Sequence, residues 1–257
     1  MTGQVKLTGM VLAAMPVGEY DRRLTILTKE RGKISAFARG ARKPTSALLA
    51  SSQPFSFGEF ILYEGKSSYN VASCDISNYF AQLREDIEAI YYGMYFCEFA
   101  AYLTKENLEA GEQLKVLYMA LRALTKEAIP KRLVRYIFEL RFLAAGGEMP
   151  QVFDCVHCGK QDMLKQERVW FLAGEGGLYC DTCRAEKTAL SAGQDEVLVG
   201  TSTIYTMQYI VSTPLNKLFT FTVSEEVLRE FGDVMKRFLE KQVGRTMKSE
   251  QMLEILG

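Results

Sequence analysis

The most chemically pointed residues are four cysteines: Cys155 and Cys158 in Cys155–Val156–His157–Cys158, then Cys180 and Cys183 in Cys180–Asp181–Thr182–Cys183. Each C-x-x-C pair can present two thiolates on one side of a tight knuckle. Two knuckles face to face make the tetrahedral sulfur shell that Zn²⁺ prefers. The 21 residues between the pairs slightly exceed the usual ribbon spacing. Gly159, Gly174, Gly176 and Gly177 supply the turns such a hairpin needs. A redox C-x-x-C occurs singly, at the start of a helix in a βαβ unit, whereas these two pairs are flanked by glycines. Four thiolates leave no open coordination position, so the expectation is one structural Zn²⁺. His157 is expected to be a loop residue facing water.

Two cysteines remain. Cys97 falls on an apolar series at helical spacing, Phe80, Leu83, Ile87, Ile90, Met94, Cys97 and Ala101, and reads as a small buried hydrophobe. Cys74 lies in a predicted strand. Neither has a clear catalytic histidine or acid partner in the local sequence. The one histidine, His157, lies in a cysteine knuckle, and unless it escapes that knuckle it cannot serve the usual Ser–His–Asp or His-rich metal arrangements; no G-x-x-x-x-G-K-[ST] phosphate loop occurs. Glu85, Asp86 and Glu88 could suggest a two-metal nuclease, but they lie off the apolar series and read as a solvated face. The chain reads as a binding protein, not an enzyme.

The elements that must position these residues change character along the 257-residue chain. Up to about residue 76 the pattern is β, with strands predicted at Val5–Ala14, Arg22–Thr28, Lys33–Arg39, Phe55–Tyr63 and Ser68–Ile76. Five short strands with turn signals at this spacing fit a small closed barrel such as an OB-fold, with an SH3-like barrel as the near competitor. The period then lengthens, predicting helices over 78–105, 112–127, 130–145, 195–212 and 224–244. Pro130 starts the third and Gly146–Gly147 stop it, and Ser224 caps the last. The fold class is thus α+β and multidomain. An N-terminal OB-fold nucleic-acid-binding domain occupies residues 1–78. A helical domain occupies 79–257, with the zinc hairpin inserted at about 153–187. The opening residues lack a secretory leader's pattern and no apolar run approaches a membrane span, so the expected place is the cytoplasm, in association with the nucleoid.

The net charge is zero but unevenly spread. Through residue 43 nine basic residues face three acidic ones, leaving +6 there and −6 on the remainder. Five of the nine are arginine, the side chain that best forks onto phosphate, so the N-terminal module reads as a polyanion-binding face. In the third strand alternation puts Ile34, Ala36 and Ala38 inward and Lys33, Ser35, Phe37 and Arg39 outward. Positive charge beside an aromatic ring suits a single strand, with phosphates on Lys and Arg and a base stacked on Phe37. The DNA-binding set is Arg22, Arg23, Lys33, Phe37, Arg39, Arg42 and Lys43.

Several stretches carry a family resemblance: Tyr20–Asp21–Arg22–Arg23, Leu27–Thr28–Lys29–Glu30–Arg31–Gly32–Lys33, and Ala38–Arg39–Gly40–Ala41–Arg42–Lys43. Gln53–Pro54–Phe55, Leu62–Tyr63–Glu64–Gly65–Lys66, Arg84–Glu85–Asp86–Ile87 and the first cysteine knuckle follow in order. Together they resemble the bacterial recombination mediator family RecO over nearly the whole chain, most weakly in the last 60 or so residues. The resemblance implies an OB-fold, a helical domain and a zinc module. It also implies binding of single- and double-stranded DNA, annealing of complementary strands, and loading of the RecA recombinase onto strands coated by single-strand-binding protein (SSB). The implied partners are the RecR ring and the C-terminal tail of SSB. Thr45–Ser46–Ala47–Leu48 departs from the basic loop of many members. For the tail, Arg132, Arg135 and Tyr136 make a positive rim beside an apolar ring on the third predicted helix. The alternative there is core packing, with the arginines paired to Glu139. A zinc-ribbon transcription factor and a nucleic-acid-processing enzyme are the other classes considered.

Overall fold

The computed structural model describes residues 3–126, 128–188, 195–244 and 247–256. Alternating apolar and polar residues fold the first part into strands β1 (Gln4–Val17), β2 (Asp21–Thr28) and β3 (Gly32–Ala38), a one-turn helix α1 (Leu48–Ser51), then β4 (Phe57–Glu64) and β5 (Tyr69–Asn78). They close in the order β1-β2-β3-β5-β4, with β4 pairing back onto β1. Only β3 and β5 run parallel, through Ala36↔Tyr69 and Phe37↔Asn70. This five-stranded closed barrel is the OB-fold. A register shift between Val11 and Ala13 bends the long β1, so that one strand serves both neighbours. Leu24, Ile26, Ile34, Ala36, Ala38 and Phe60 fill the interior, as alternation along β3 predicts.

Gly32 opens β3 with φ +61°, and a Cβ there would lie 2.1 Å from the Lys105 carbonyl oxygen and 2.5 Å from that of Leu108. Gly32→Ala combines left-handed strain with a backbone collision. It is expected to cost at least about 2 kcal/mol, read as a lower urea midpoint with an unchanged m-value.

The chain gathers into two compact units, Met1–Glu127 with Met247–Gly257, and Ala128–Thr246. In the first, α2 (Ile87–Leu103) and α3 (Gly111–Leu124) pack against the barrel. The long helix expected from residue 78 breaks instead: Ala81–Glu85 form a 3-10 turn, Asp86 is extended, and its carboxylate caps α2 by accepting from the Ala89 N–H at 3.0 Å. The expected apolar series therefore loses phase. Leu83 and Cys97 are buried, but Ile87 is 69% and Met94 49% exposed. The face that packs carries Ala89, Tyr92, Phe96, Phe99 and Ala100. At Gly93 a Cβ would press within 3.1 Å of the Phe55 ring, so glycine admits the loop before β4. The last helix, α8 (Glu250–Leu256), belongs to this unit and contacts α2. Both carboxylate oxygens of Glu98 in α2 hold the start of α8, accepting from the Lys248 N–H at 3.0 Å and the Ser249 N–H at 2.9 Å.

The second unit contains α4 (Lys131–Ala145), β6 (Val169–Leu172), β7 (Gly177–Cys180), α5 (Asp181–Thr188), β8 (Glu196–Val199), α6 (Thr201–Ser212) and α7 (Glu225–Gln242). Pro130 precedes α4 and Gly146–Gly147 end it, and the Ser224 hydroxyl oxygen accepts from the Val227 N–H to cap α7, all as expected. The helix expected from residue 195 starts only at Thr201. Glu196–Val199 is a strand that pairs with β6, giving a three-stranded sheet β7-β6-β8. One face of the sheet packs on α7, with Phe171 edge-on to Phe238 at 5.9 Å. No described helix is long and apolar enough to cross a membrane.

Candidate nucleic-acid interface and metal centre

Register carries one row of residues around the open side of the barrel: Met15 opposite Arg23, Arg23 opposite Phe37, Phe37 opposite Asn70, and Asn70 opposite Tyr63. Met15 and Tyr63 are exposed and Phe37 is half-buried. Beside this row lies a groove of about 470 Å³ between the β1–β2 turn and the β4–β5 turn, lined by Asp21, Phe37, Arg39, Lys66, Ser68 and Asn70. Those turns and that sheet face are where OB-folds take oligonucleotides.

The basic segment after β3 is folded down onto the β1–β2 turn. The Gly40 N–H donates to Asp21 Oδ1 at 2.7 Å, and the Arg42 N–H donates to the Tyr20 carbonyl at 2.8 Å. The Arg42 guanidinium reaches the Gly18 carbonyl at 3.2 Å, and the Lys43 ammonium stands 5.3 Å from the Tyr20 ring centroid. The loop therefore holds Arg39, Arg42 and Lys43 exposed on one rim. Arg23 is also exposed, with Nε donating to Ser35 Oγ at 3.0 Å.

Two members of the predicted DNA-binding set sit differently. Arg22 is half-buried and donates to the Leu49 carbonyl and to Ser52 Oγ, tying α1 to the barrel. Burial and the nearby Arg42 hold its acidity above that of a free guanidinium. Lys33 lies four residues from Phe37, about 13 Å along the strand. Its Nζ donates to the Ala101 carbonyl near the end of α2 at 2.5 Å. The structure thus sets Arg23 opposite Phe37 in one row, lines the groove with Phe37 and Arg39, leaves Arg42 and Lys43 exposed in the loop after β3, and ties Lys33 to the end of α2. Lys66 and Asn70 join the groove without having been singled out as site residues. Asn70 is placed by the parallel β3–β5 pairing, which links residues far apart in sequence, and Lys66 by the β4–β5 turn beside it.

The candidate metal centre, Cys155, Cys158, Cys180 and Cys183, is built from two knuckles fixed by backbone hydrogen bonds. Cys155 N–H donates to the Lys160 carbonyl and Gly159 N–H to the Cys155 carbonyl, each at 2.9 Å. The Val156 N–H donates to the Leu178 carbonyl, also at 2.9 Å, pinning the first knuckle beside β7. Cys180 ends β7 and Cys183 sits in the first turn of α5. All four Sγ atoms lie within 4.8 Å of one another, with Cys158 to Cys180 at 3.9 Å. A tetrahedron with 2.3 Å zinc–sulfur arms has edges of about 3.8 Å, so the cluster matches such an ion in size. Its electrostatics agree. Burial alone would raise the Cys155 thiol, but the N–H groups of Cys158, Cys180 and His157 aim at its sulfur and hold it down at about 6. Burial and the neighbouring thiols push Cys183 well up. Four sulfurs this close cannot all carry negative charge without a cation among them. His157 is exposed, its ring 6.2 Å from that of Tyr179.

The module's single tryptophan is fastened to the second knuckle. The Arg168 and Arg184 guanidiniums stand 5.4 and 4.2 Å from the Trp170 ring centroid, and its Nε1–H points to Asp181 Oδ1 at 3.4 Å. On α4, Arg132 is exposed, while Arg135 Nε pairs with the buried Glu139 at 2.7 Å and Tyr136 packs edge-on against Phe231.

These features define the class: an OB-fold protein whose helical second half carries a cluster of four cysteines able to hold a metal ion. Two family models cover it, Recombination protein O N terminal over residues 1–80 and Recombination protein O C terminal over 84–251. The protein of Acetivibrio thermocellus named DNA repair protein RecO is 32% identical over 254 residues, covering 98% of this chain and 97% of that one. The DNA repair protein RecO of Anaeromyxobacter dehalogenans is 32% identical, covering 99% and 97%. That of Alkaliphilus metalliredigens is 30% identical, covering 94% of each. This chain belongs to the RecO family.

Proposed function

We propose that this protein is a DNA-binding recombination mediator of DNA repair. It anneals complementary strands and helps the RecA recombinase load onto SSB-coated single strands, in concert with a RecR ring and without catalysing a covalent step. The observation that carries the reading is the groove lined by Phe37, Arg39 and Lys66 on the open side of an OB barrel, with Arg42 and Lys43 exposed in the loop after β3. Cationic groups along the rim would neutralise phosphates and release counterions, giving binding of any sequence. Phe37 would take the face of an unpaired base. Residues 1–78 act as the nucleic-acid-binding domain, and the helical domain after them holds one structural Zn²⁺ on Cys155, Cys158, Cys180 and Cys183. The place of action is the cytoplasm, at the nucleoid.

The test is annealing of complementary labelled strands, one pre-coated with SSB, in the presence of Mg²⁺. Faster annealing with the strands intact supports the mediator, and shortened DNA supports a processing enzyme instead. Phe37→Ala is expected to weaken single-strand binding by roughly thirtyfold, about 2 kcal/mol, the middle of the 1–3 kcal/mol that stacking on a ring contributes, while duplex binding changes little. Equal losses on both substrates would remove the stacking role.

For the SSB tail, α4 supplies the docking residues Arg132, Arg135 and Tyr136. Arg135 is already held by Glu139, so Arg132 is the guanidinium left to fork onto a terminal carboxylate. Arg132→Glu is expected to weaken a fluorescent tail peptide more than tenfold, about 1.4 kcal/mol. Unchanged affinity places the tail on another surface.

A further inference from the structure

The four sulfurs of the metal centre are unequally protected. Cys155, Cys180 and Cys183 are buried, whereas Cys158 is exposed at the tip of the first knuckle, between exposed His157 and Gly159. Its Sγ is also 3.9 Å from that of buried Cys180, so an S–S bond of about 2.05 Å asks the pair to close by about 1.9 Å, within reach of a knuckle movement. A thiolate reachable from solvent and poised beside a second thiol is the arrangement that oxidises selectively and reversibly.

We propose that Cys158 is a peroxide-oxidation site and that its product is a Cys158–Cys180 disulfide, an inference that rests on the zinc reading of the centre. In the first step the Cys158 thiolate attacks a peroxide oxygen. The S–O bond forms, the O–O bond breaks, sulfur is oxidised to sulfenic acid, and peroxide is reduced with departure of hydroxide. In the second the Cys180 thiolate attacks that sulfur. The S–S bond forms, the S–O bond breaks, and a second hydroxide leaves. The shell has then lost two of its four donors and releases its metal. Cys180 is followed directly by Asp181, the residue that meets Trp170 Nε1, so the one indole of the chain reports the change.

The test starts with the full-length protein, its zinc content measured, titrated with hydrogen peroxide. Three readouts are followed: free zinc with a chromogenic chelator, Trp170 emission, and non-reducing peptide mapping. The expected result is one zinc released per chain, a shift in emission over the same peroxide range, and a linked peptide joining Cys158 to Cys180. Thiol reductant with added Zn²⁺ is expected to reverse all three. Cys158→His and Cys183→His each keep four nitrogen or sulfur donors, a shell zinc accepts. Cys158→His is expected to release zinc at least tenfold more slowly than the parent, and Cys183→His at close to the parental rate. Equal rates in the two variants, or a disulfide that omits Cys158, overturns the inference while leaving the zinc assignment standing. A protein that purifies without metal and takes up none overturns both.

Discussion

Replacing Cys155 or Cys180 with serine is expected to abolish metal binding and lower the melting temperature by about 10 °C. Structural zinc sites carry on the order of 10 kcal/mol of folding free energy. Even a third of that, at 2–4 °C per kcal/mol for a chain of this size, gives a shift of roughly this scale. The loss falls on a small module. The sheet β7-β6-β8 has strands of four residues each, too short to hold the knuckles in place alone. Trp170 emission is expected to change with metal loss, because its partners Asp181 and Arg184 lie on α5, which starts at the second knuckle. Metal analysis of protein purified without chelators, with thermal melts of both variants, decides the matter. No bound metal together with parental melting would rule out the centre.

The second large effect concerns salt. A variant with alanine at Arg39, Arg42, Lys43 and Lys66 is expected to bind both single strands and duplex more weakly, with a flatter dependence on salt. Each lost phosphate contact removes about 0.7 from the log–log slope on single strands and about 0.9 on duplex, so the full change is about 2.8 on single strands and about 3.6 on duplex. Lys33→Ala is expected to leave the slope unaltered, since its ammonium already lies against the Ala101 carbonyl. Arg42 and Lys43 also help seat their loop on the β1–β2 turn, so circular dichroism must show an intact fold before the slopes are compared. An unaltered slope in the folded quadruple variant, or a clear fall for Lys33→Ala, moves the DNA path off this rim.

What was legible in the sequence was local. Alternation along β3 sorted Ile34, Ala36 and Ala38 inward, as found. The C-x-x-C spacing sufficed to anticipate four converging sulfurs, and Pro130, Gly146 and Ser224 marked helix ends because caps act within a few residues. What was not legible depends on distant partners. Glu196–Val199 is too short to display a period of two, and only pairing with β6 makes it a strand. The apolar series from Phe80 to Ala101 was read through a boundary, and capping by Asp86 reset its phase. Lys66 and Asn70 reached the groove through a barrel closure that no run of neighbouring residues encodes. Lys33 and Phe37 share an outward face of β3, yet a helix that follows the barrel in sequence engages only Lys33.

The grip of Glu98 on the start of α8 bears on how the chain is made. The first compact unit draws its last element from the C-terminal end, so a ribosome must synthesise the entire second unit before the first is complete. A nascent chain emerging with only the barrel, α2 and α3 would present the α2 surface that α8 later occupies. A stop codon at about residue 246 would accordingly injure not the residues just before it but the unit that holds the N-terminus.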